Sequence, residues 1–423
     1  MKILIVGSGG REHSIAWKLS QSENVKEIIC TPGNAGTSKI ARNINIRAED
    51  IKLILKLAME ERPDLVVIGP EVPLSLGLTD LLESKDILVF GPNQKASEIE
   101  SSKAFSKKLM KAAKVPTAEF EIFDDAKKAK DFVGKKDRKW VIKASGLAAG
   151  KGVIISSEKI SAESAISEIM EQNTFGNAGN TCVIEEFLEG EEASLLVFTD
   201  GENVFPLPPA QDHKQIFEND LGPNTGGMGA YSPTPILSKD LQSQAIESII
   251  KPVISHLSEQ GRTYRGILYA GLMIKENELK VLEFNCRFGD PECQPLMMRI
   301  KSDILPILID TAKGDISKSN VETYDDPSVC VVMSAGGYPG SYESGEIIRG
   351  IDEASSLEDV MVFHAGTSIN QNGETITSGG RVLGITSKGP KLSSAINSAY
   401  RAVEMISWKN CYYRKDIGSK AIV

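Results

Sequence analysis

The sequence predicts a mixed α/β and α+β fold, with a doubly wound parallel-sheet unit at the N-terminus, an α+β centre and a further α/β unit at the C-terminus. Three observations predict it. Over the first 100 residues short apolar runs alternate with amphipathic stretches, the rhythm of strand and helix units around a parallel sheet. Beyond Val115-Pro116 the apolar runs pair across short polar turns, as antiparallel hairpins do. After a polar segment at residues 319–326, strand and helix patterns resume.

In the first unit, residues 2–6, 27–30, 65–68 and 87–90 read as buried parallel strands. Ile51, Ile54, Leu55 and Ala58 recur at helical spacing between them. Ligands of such sheets bind at the carboxyl ends of the strands. Here those ends carry Gly7-Ser8-Gly9-Gly10-Arg11-Glu12, Pro32-Gly33-Asn34-Ala35-Gly36 and Gly69-Pro70-Glu71. A Lys-rich helix is expected over 101–114, stopping before Pro116. In the centre, strands are expected at 140–144 and 153–156 around a glycine loop, a helix at 162–171 and a strand at 181–187. Hairpins follow at 194–206 and 267–284, the second turning near Glu276-Asn277, and then a helix at 295–313. The last unit has a strand at 329–334, several glycine turns and a helix at 392–406.

The chain has 423 residues, 41% hydrophobic and 25% charged, with a net charge of −9. This is globular composition with room for two to four domains. The acidic balance argues against a general nucleic-acid binder, which needs a basic patch. No apolar run suits a secretion signal or a membrane span. The six cysteines form no C-x-x-C pair, so zinc and dithiol chemistry are not expected, and they read as reduced structural thiols of a cytoplasmic protein.

Three segments carry chemical signals. Lys143-Ala144-Ser145-Gly146-Leu147-Ala148-Ala149-Gly150-Lys151-Gly152 is a glycine loop bracketed by lysines, suited to closing over phosphates. It is not a Walker A loop, because three residues separate Gly146 from Gly150 and a strand follows. In Leu282-Glu283-Phe284-Asn285-Cys286-Arg287, period-two geometry puts Glu283, Asn285 and Arg287 on one strand face and Leu282 and Phe284 toward the core. A carboxylate and an amide oxygen two residues apart are hard ligands for Mg²⁺, and Arg287 can clamp a carboxylate or a phosphoryl group. Finally, Val183-Ile184-Glu185-Glu186-Phe187-Leu188 is an apolar strand running into acids and a turn. Its end can serve as a hinge whose backbone reads adenine, with Glu192 beyond it for ribose hydroxyls.

Lys103, the glycine loop, Glu186 to Leu188 with Glu192, and Glu283-x-Asn285 stand in the order found in ATP-grasp enzymes. More closely, the chain resembles the phosphoribosylamine–glycine ligase family. The resemblance lies in Gly-Ser-Gly-Gly-Arg-Glu-His at 7–13, Pro-Gly-Asn-Ala-Gly at 32–36, Gly-Pro-Glu at 69–71, Gln-Asp-His-Lys at 211–214, and the segments at 222–231, 285–292, 377–382 and 413–418. It implies an N-terminal α/β domain, central ATP-grasp subdomains and a C-terminal α/β domain. We expect boundaries at 1–102, 103–318 (a smaller lid at about 120–190) and 319–423.

The resemblance also implies the reaction: ATP, glycine and 5-phosphoribosylamine give glycinamide ribonucleotide, ADP and phosphate. Glu283 and Asn285 would bind Mg²⁺ or Mn²⁺. Nucleotide would meet Lys103, Lys143, Gly146, Gly150, Lys151, Gly152, Glu185, Glu186, Phe187, Leu188 and Glu192. Arg287, Asp212 and Lys214 are expected on the acceptor side, where Asp212 either binds the glycine ammonium or assists amine deprotonation. Asp212 and Lys214 read equally as an ion pair bracing a loop. Phosphoribosylamine would lie on Gly9, Gly10, Arg11, Glu12, Asn34, Gly69, Pro70, Glu71 and Asp290, its phosphate at the helix start beside Gly9 and Gly10. His13 reads as a packing residue. The expected partners are these small molecules alone, with no nucleic acid or membrane, and the chain is expected to be a monomer or weak dimer.

Three departures stand out: Ser145 where the family usually has Asp, Pro208-Pro209-Ala210 before Gln211, and Cys293 after Glu292 where Thr is frequent. A dinucleotide-dependent oxidoreductase is disfavoured, because Glu12 occupies the third glycine position of the fingerprint and no acid ends the second strand. Another ATP-grasp ligase or carboxylase is countered by the segments at 222–231 and 377–382. A non-catalytic ATP-binding regulator is countered by the presence of both Glu283 and Asn285.

Overall fold

Ile3, Leu4, Ile5 and Val6 are all fully buried, because their strand, Lys2–Gly7, lies at the centre of a parallel sheet covered on both faces. In a computed structural model, which describes every residue except 136, 137, 149–151, 173 and 423, the sheet runs Arg42–Asn43, Glu27–Pro32, Lys2–Gly7, Leu65–Ile68, Val89–Phe90. The chain winds outward from Lys2–Gly7 first one way and then the other, which opens a crevice at the strand ends beside Gly7 and Gly69. The last strand is shorter than expected, since Ile87 still bonds back to Leu82 in the preceding turn.

Two antiparallel four-stranded sheets form the centre. The smaller joins Phe120–Phe123, Cys182–Glu186, Trp140–Ala144 and Val153–Ser156, and packs Trp140, Ile142 and Ile184 against the helices Ala126–Val133 and Lys159–Met170. The larger joins Val204–Pro206, Glu191–Thr199, Gly266–Lys275 and Glu278–Asn285. One expected helix starts later than expected and another is divided. Over 101–114, Ser102 is extended and ends Gln94–Ser101, and its hydroxyl accepts the Phe105 N–H at 3.2 Å to start Lys103–Ala112. Over 295–313, Cys293–Arg299 and Leu305–Lys313 are separate: Ile300 is extended and bridges Thr323, and Pro306 opens the second helix, where its missing N–H costs nothing.

The C-terminal sheet runs Gln211–Asp212, Gly229–Ser232, Ser328–Ser334, Arg381–Lys388, Val360–His364, with Leu392–Met405 packed on it. Its first two strands come from chain well before the polar segment at 319–326, so the sheet draws on both sides of that segment. Arg299 ties the segment down, donating to Asp326 O at 3.1 Å, Tyr324 O at 3.1 Å and Ser232 Oγ at 2.9 Å. Among the described residues no helix is long and apolar enough to cross a membrane. The six cysteines are unpaired.

Candidate active site

A cavity of about 640 Å³ opens where the three units meet. The hairpin Trp140–Ala144/Val153–Ser156 roofs it through Leu147, Ala148 and Gly152. Gly146 stands at the foot of the loop, its carbonyl accepting from Lys103 Nζ at 3.3 Å. Gly150 and Lys151 lie outside the described residues. Ser145 has a local job: its hydroxyl accepts the Ala104 N–H at 3.1 Å, capping the helix that carries Lys103.

Below the roof, Glu185 is buried between two lysines, 2.9 Å from both Lys143 and Lys107. Burial pushes Lys107 down to about 8, although Glu185 pulls the other way. Burial also lowers Lys103. Glu185 therefore sets the positions of two cations. The Glu186 side chain accepts from the Glu119 N–H at 3.1 Å and from Lys280 at 3.3 Å, while Phe187 and Leu188 make no backbone hydrogen bond to another described backbone group. Those backbone groups are available to a flat heterocycle at the cavity wall. Glu192 lines the cavity and pairs with Lys214 at 2.6 Å.

The strand Glu278–Asn285 brings Glu283 and Asn285 to the cavity together with Arg287, as period two predicts. Leu282 departs from the prediction: it also lines the cavity instead of facing the core. The register shows why. Gly271 pairs with Glu283 but Leu272 pairs with Val281, so Leu282 is the extra residue of a β-bulge. Glu283 makes no hydrogen bond or ion pair to another described side chain. Burial raises its proton affinity, but Lys214, Lys143, Lys103 and Arg287 outweigh that and hold it ionised. An ionised carboxylate facing a cavity beside an amide oxygen is a donor set that fits a hard divalent cation. Among the described residues no group of three or more His, Cys, Asp or Glu side chains could hold a metal alone, so a cation here would draw its other ligands from phosphate and water.

Arg287 is braced by Glu100 at 2.8 Å and lies 3.5 Å from Glu71, while its Nε has no hydrogen-bond partner among the described residues. Asp212 lies on a two-residue strand with Oδ1 buried and without a hydrogen-bond partner among the described residues. Burial, and then the charge of Glu292, raises its proton affinity well above the ordinary carboxylate range. Lys214 pairs with Glu192 rather than with Asp212. Nearby, burial raises Asp290 but Arg381 and Arg11 reverse the effect and hold it ionised. Arg381 stands 3.3 Å from the Asp290 carboxylate and donates to the carbonyls of Asp290, Gly226 and Gly227.

On the N-terminal side, Arg11, Pro70 and Glu71 line the cavity, with Asp290 from the other wall. Gly9, Gly10, Glu12, Asn34 and Gly69 are not among the residues that line it. The Glu12 carboxylate fills the glycine turn, accepting the Gly9 N–H at 2.6 Å and Arg11 Nε at 2.6 Å. A Cβ at Gly69 would lie 2.0 Å from Glu12 Oε1, so only glycine leaves room for it. Asn34 is a brace: it donates to Ser8 O and His364 O at 2.8 Å and accepts from the Gly36 and Thr37 N–H groups. His13 is packed as expected, accepting the His364 N–H at 2.8 Å.

Comparison with known proteins bears on this geometry. Three family models match in succession: the N domain of phosphoribosylglycinamide synthetase over residues 1–100, its ATP-grasp (A) domain over 101–293 and its C domain over 328–420. The phosphoribosylamine–glycine ligase of Escherichia coli O157:H7 is 45% identical over 425 residues, covering 100% of this chain and 99% of the relative. The chain belongs to the phosphoribosylamine–glycine ligase family. That of Pseudomonas aeruginosa is 46% identical, with 100% and 98% covered. The crystal structure of the Thermotoga maritima phosphoribosylamine–glycine ligase superposes with a TM-score of 0.86 at 31% identity, covering 98% of this chain and 100% of that one. The biotin carboxylase domain of Hydrogenobacter thermophilus 2-oxoglutarate carboxylase, solved with MgADP, reaches 0.74 at 18% identity over 97% and 91% of the chains, a likeness of fold alone.

Family membership leaves several cavity residues that sequence reading missed. Lys107 was visible only as one lysine of a rich run. Arg381 sat in a recognised segment without a role. Glu100 had no local signal, since its partners Cys286 and Arg287 lie more than 180 residues along the chain. Tyr269 and Ser194 hold Glu292, at 2.7 and 3.1 Å, beneath Asp212.

Proposed function

We propose that the chain ligates glycine to 5-phosphoribosylamine, converting ATP to ADP and phosphate and releasing glycinamide ribonucleotide. It is an ADP-forming carbon–nitrogen ligase of purine biosynthesis. Supporting this reading is one cavity that gathers, from three units, the nucleotide lysines, the Glu283–Asn285 pair and the acid–arginine cluster of Asp212, Arg287, Asp290 and Arg381.

The chemistry runs in two displacements. A glycine carboxylate oxygen attacks the γ-phosphorus and ADP leaves, forming glycyl phosphate. The amine of phosphoribosylamine then attacks the carbonyl carbon, phosphate leaves and the nitrogen loses a proton. Lys103 and Lys143 spread the charge of the transferring phosphoryl group. Mg²⁺ or Mn²⁺ on Glu283 and Asn285 would neutralise phosphate charge when bound. Phe187 and Leu188 hold the adenine and Glu192 the ribose. Arg287 orients the glycine carboxylate. Asp212, buried with an oxygen that no described residue hydrogen-bonds and with a raised proton affinity, is suited to take the proton from the attacking amine. Arg11, Glu71 and Asp290 face phosphoribosylamine. Holding the reactants in line supplies up to about 7–11 kcal/mol of the barrier reduction. We expect the enzyme to act in the cytoplasm as a monomer or weak dimer.

The test is ADP release with each substrate omitted in turn. Turnover should need ATP, glycine and phosphoribosylamine together. Equal turnover without glycine, or with another carboxylate in its place, would refute the assignment.

A further inference from the structure

Glu100 sits at the end of the helix Gln94–Ser101, three residues before Lys103 but more than 180 before Asn285 and Arg287, and its buried carboxylate reaches the cavity wall. One oxygen, Oε2, accepts the Cys286 N–H at 2.7 Å. The other accepts Arg287 Nη2 at 2.8 Å. The carboxylate thus grips both the backbone between Asn285 and Arg287 and the end of the guanidinium itself. The same Nη2 is 3.2 Å from Asn285 Oδ1, and Nη1 donates to Phe288 O at 3.2 Å. Among the described residues Nε alone of the three nitrogens finds no hydrogen-bond partner, with the Glu71 carboxylate 3.5 Å away.

This division of donors has a consequence. Asn285 Oδ1 is an expected cation ligand, and a guanidinium is a strong competitor for that oxygen. Glu100 is the nearer partner of the shared Nη2 and the only carboxyl group on it among the described residues. We propose that Glu100 is the positioning residue for Arg287, drawing the shared Nη2 toward itself so that Asn285 Oδ1 holds it only by the longer bond, and presenting the Nε edge to the carboxylate being phosphorylated. Glu71, the looser and more exposed neighbour, is the partner that an arriving carboxylate displaces. Through Glu100, the helix that follows the N-terminal sheet sets the geometry of the phosphoryl-transfer site. The inference rests on the ligase reading above.

The experiment compares Glu100→Gln and Glu100→Asp with wild type in kcat, in KM for each substrate and in the Mg²⁺ needed for half-maximal rate, with a crystal structure of Glu100→Gln. Glutamine keeps the shape and an acceptor for Cys286 but loses the charge. We expect kcat to fall by about 100-fold, the effect of a misplacement near 1 Å. The KM for ATP should stay within about twofold while the Mg²⁺ requirement rises, a split that general loosening of the fold would not produce. Glu100→Asp should recover part of the rate, because the charge is restored. Combining Glu100→Gln with Arg287→Lys should cost little more than Arg287→Lys alone, since both act through one guanidinium. Unchanged kcat in Glu100→Gln, or losses that multiply in the double variant, would overturn the proposal. The crystal structure decides independently of turnover: Nη2 should move off residue 100 and shorten its 3.2 Å bond to Asn285 Oδ1, and retention of its original position would overturn the positioning role. A wild-type enzyme without glycine-dependent turnover would instead refute the ligase reading.

Discussion

Gly227 is the backbone against which Asp212 is set, and substituting alanine there tests how tightly. Its φ is +110°, a conformation that side-chain-bearing residues rarely adopt. A Cβ would lie 2.4 Å from Pro291 Cδ, 2.7 Å from Asp212 Oδ1 and 3.1 Å from Asp212 Oδ2. Ordinary contact is about 3.5–4.0 Å, so something must yield by about 1 Å. The proline ring is rigid, and the turn is held by Arg381 on the carbonyls of Gly226 and Gly227. The contact with Pro291 therefore strains the turn, and the contact with Asp212 is relieved by movement of its carboxylate. Backbone strain costs about 1–3 kcal/mol and overpacking about 1–3 kcal/mol. Their sum, about 2–6 kcal/mol, is a large part of a typical domain's stability. Displacing a proton acceptor by about 1 Å lowers turnover by about 100-fold. Urea unfolding followed by circular dichroism measures the first effect, and coupled detection of ADP measures the second. Gly314→Ala is the control. It has φ +83° at a helix end, and its new Cβ meets the Arg265 guanidinium at 2.9 Å, away from the cavity. It should lose stability and keep kcat. A Gly227→Ala enzyme with an unchanged urea midpoint and kcat within twofold of wild type would refute the reasoning.

Two further outcomes are expected. Glu283→Gln removes the carboxylate that faces Lys103, Lys143, Lys214 and Arg287; turnover at fixed Mg²⁺ should fall by about 100-fold or more, several kcal/mol of charge stabilisation being lost, and unchanged Mg²⁺ dependence would remove Glu283 from the cation site. Burial lowers His13 to about 3 and both His213 and His364 to about 4, whereas unfolded histidine titrates near pH 6.5. As pH falls below that value the unfolded chain binds protons that the folded chain refuses, so stability drops by up to about 1.4 kcal/mol per pH unit for each histidine; above it they contribute nothing. Burial lifts the carboxyls of Asp212 and Glu100, which acts in the opposite sense. The decisive comparison is therefore wild type against His13→Gln between pH 6.5 and 5, where the variant should show the shallower loss; parallel curves would contradict the assignment.

Much of this architecture was legible because it is local. The continuous burial of Ile3 to Val6 and the alternation along Glu283, Asn285 and Arg287 follow directly from strand period. What failed was set by distant chain. The bulge at Leu282 is imposed by the partner strand, where Gly271 and Leu272 pair with residues two apart. Gln211–Asp212 is too short to show any period, and it earns its strand only by pairing with Tyr231 and Ala230. The division of the predicted helix at 295–313 was readable at Pro306, a residue that starts helices and interrupts them when inside. Glu12 illustrates a half-legible case. Its position three residues after Gly9 is that of a capping-box acid, which explains why a carboxylate fills the turn where a phosphate was expected.

The central claim is that this cavity brings a glycine carboxylate into line with the γ-phosphoryl group of ATP. Glycine labelled with ¹⁸O in its carboxylate tests it most directly. During synthesis of glycinamide ribonucleotide, one labelled oxygen per turnover should appear in the released phosphate. Phosphate free of label, with product still formed, would contradict the account.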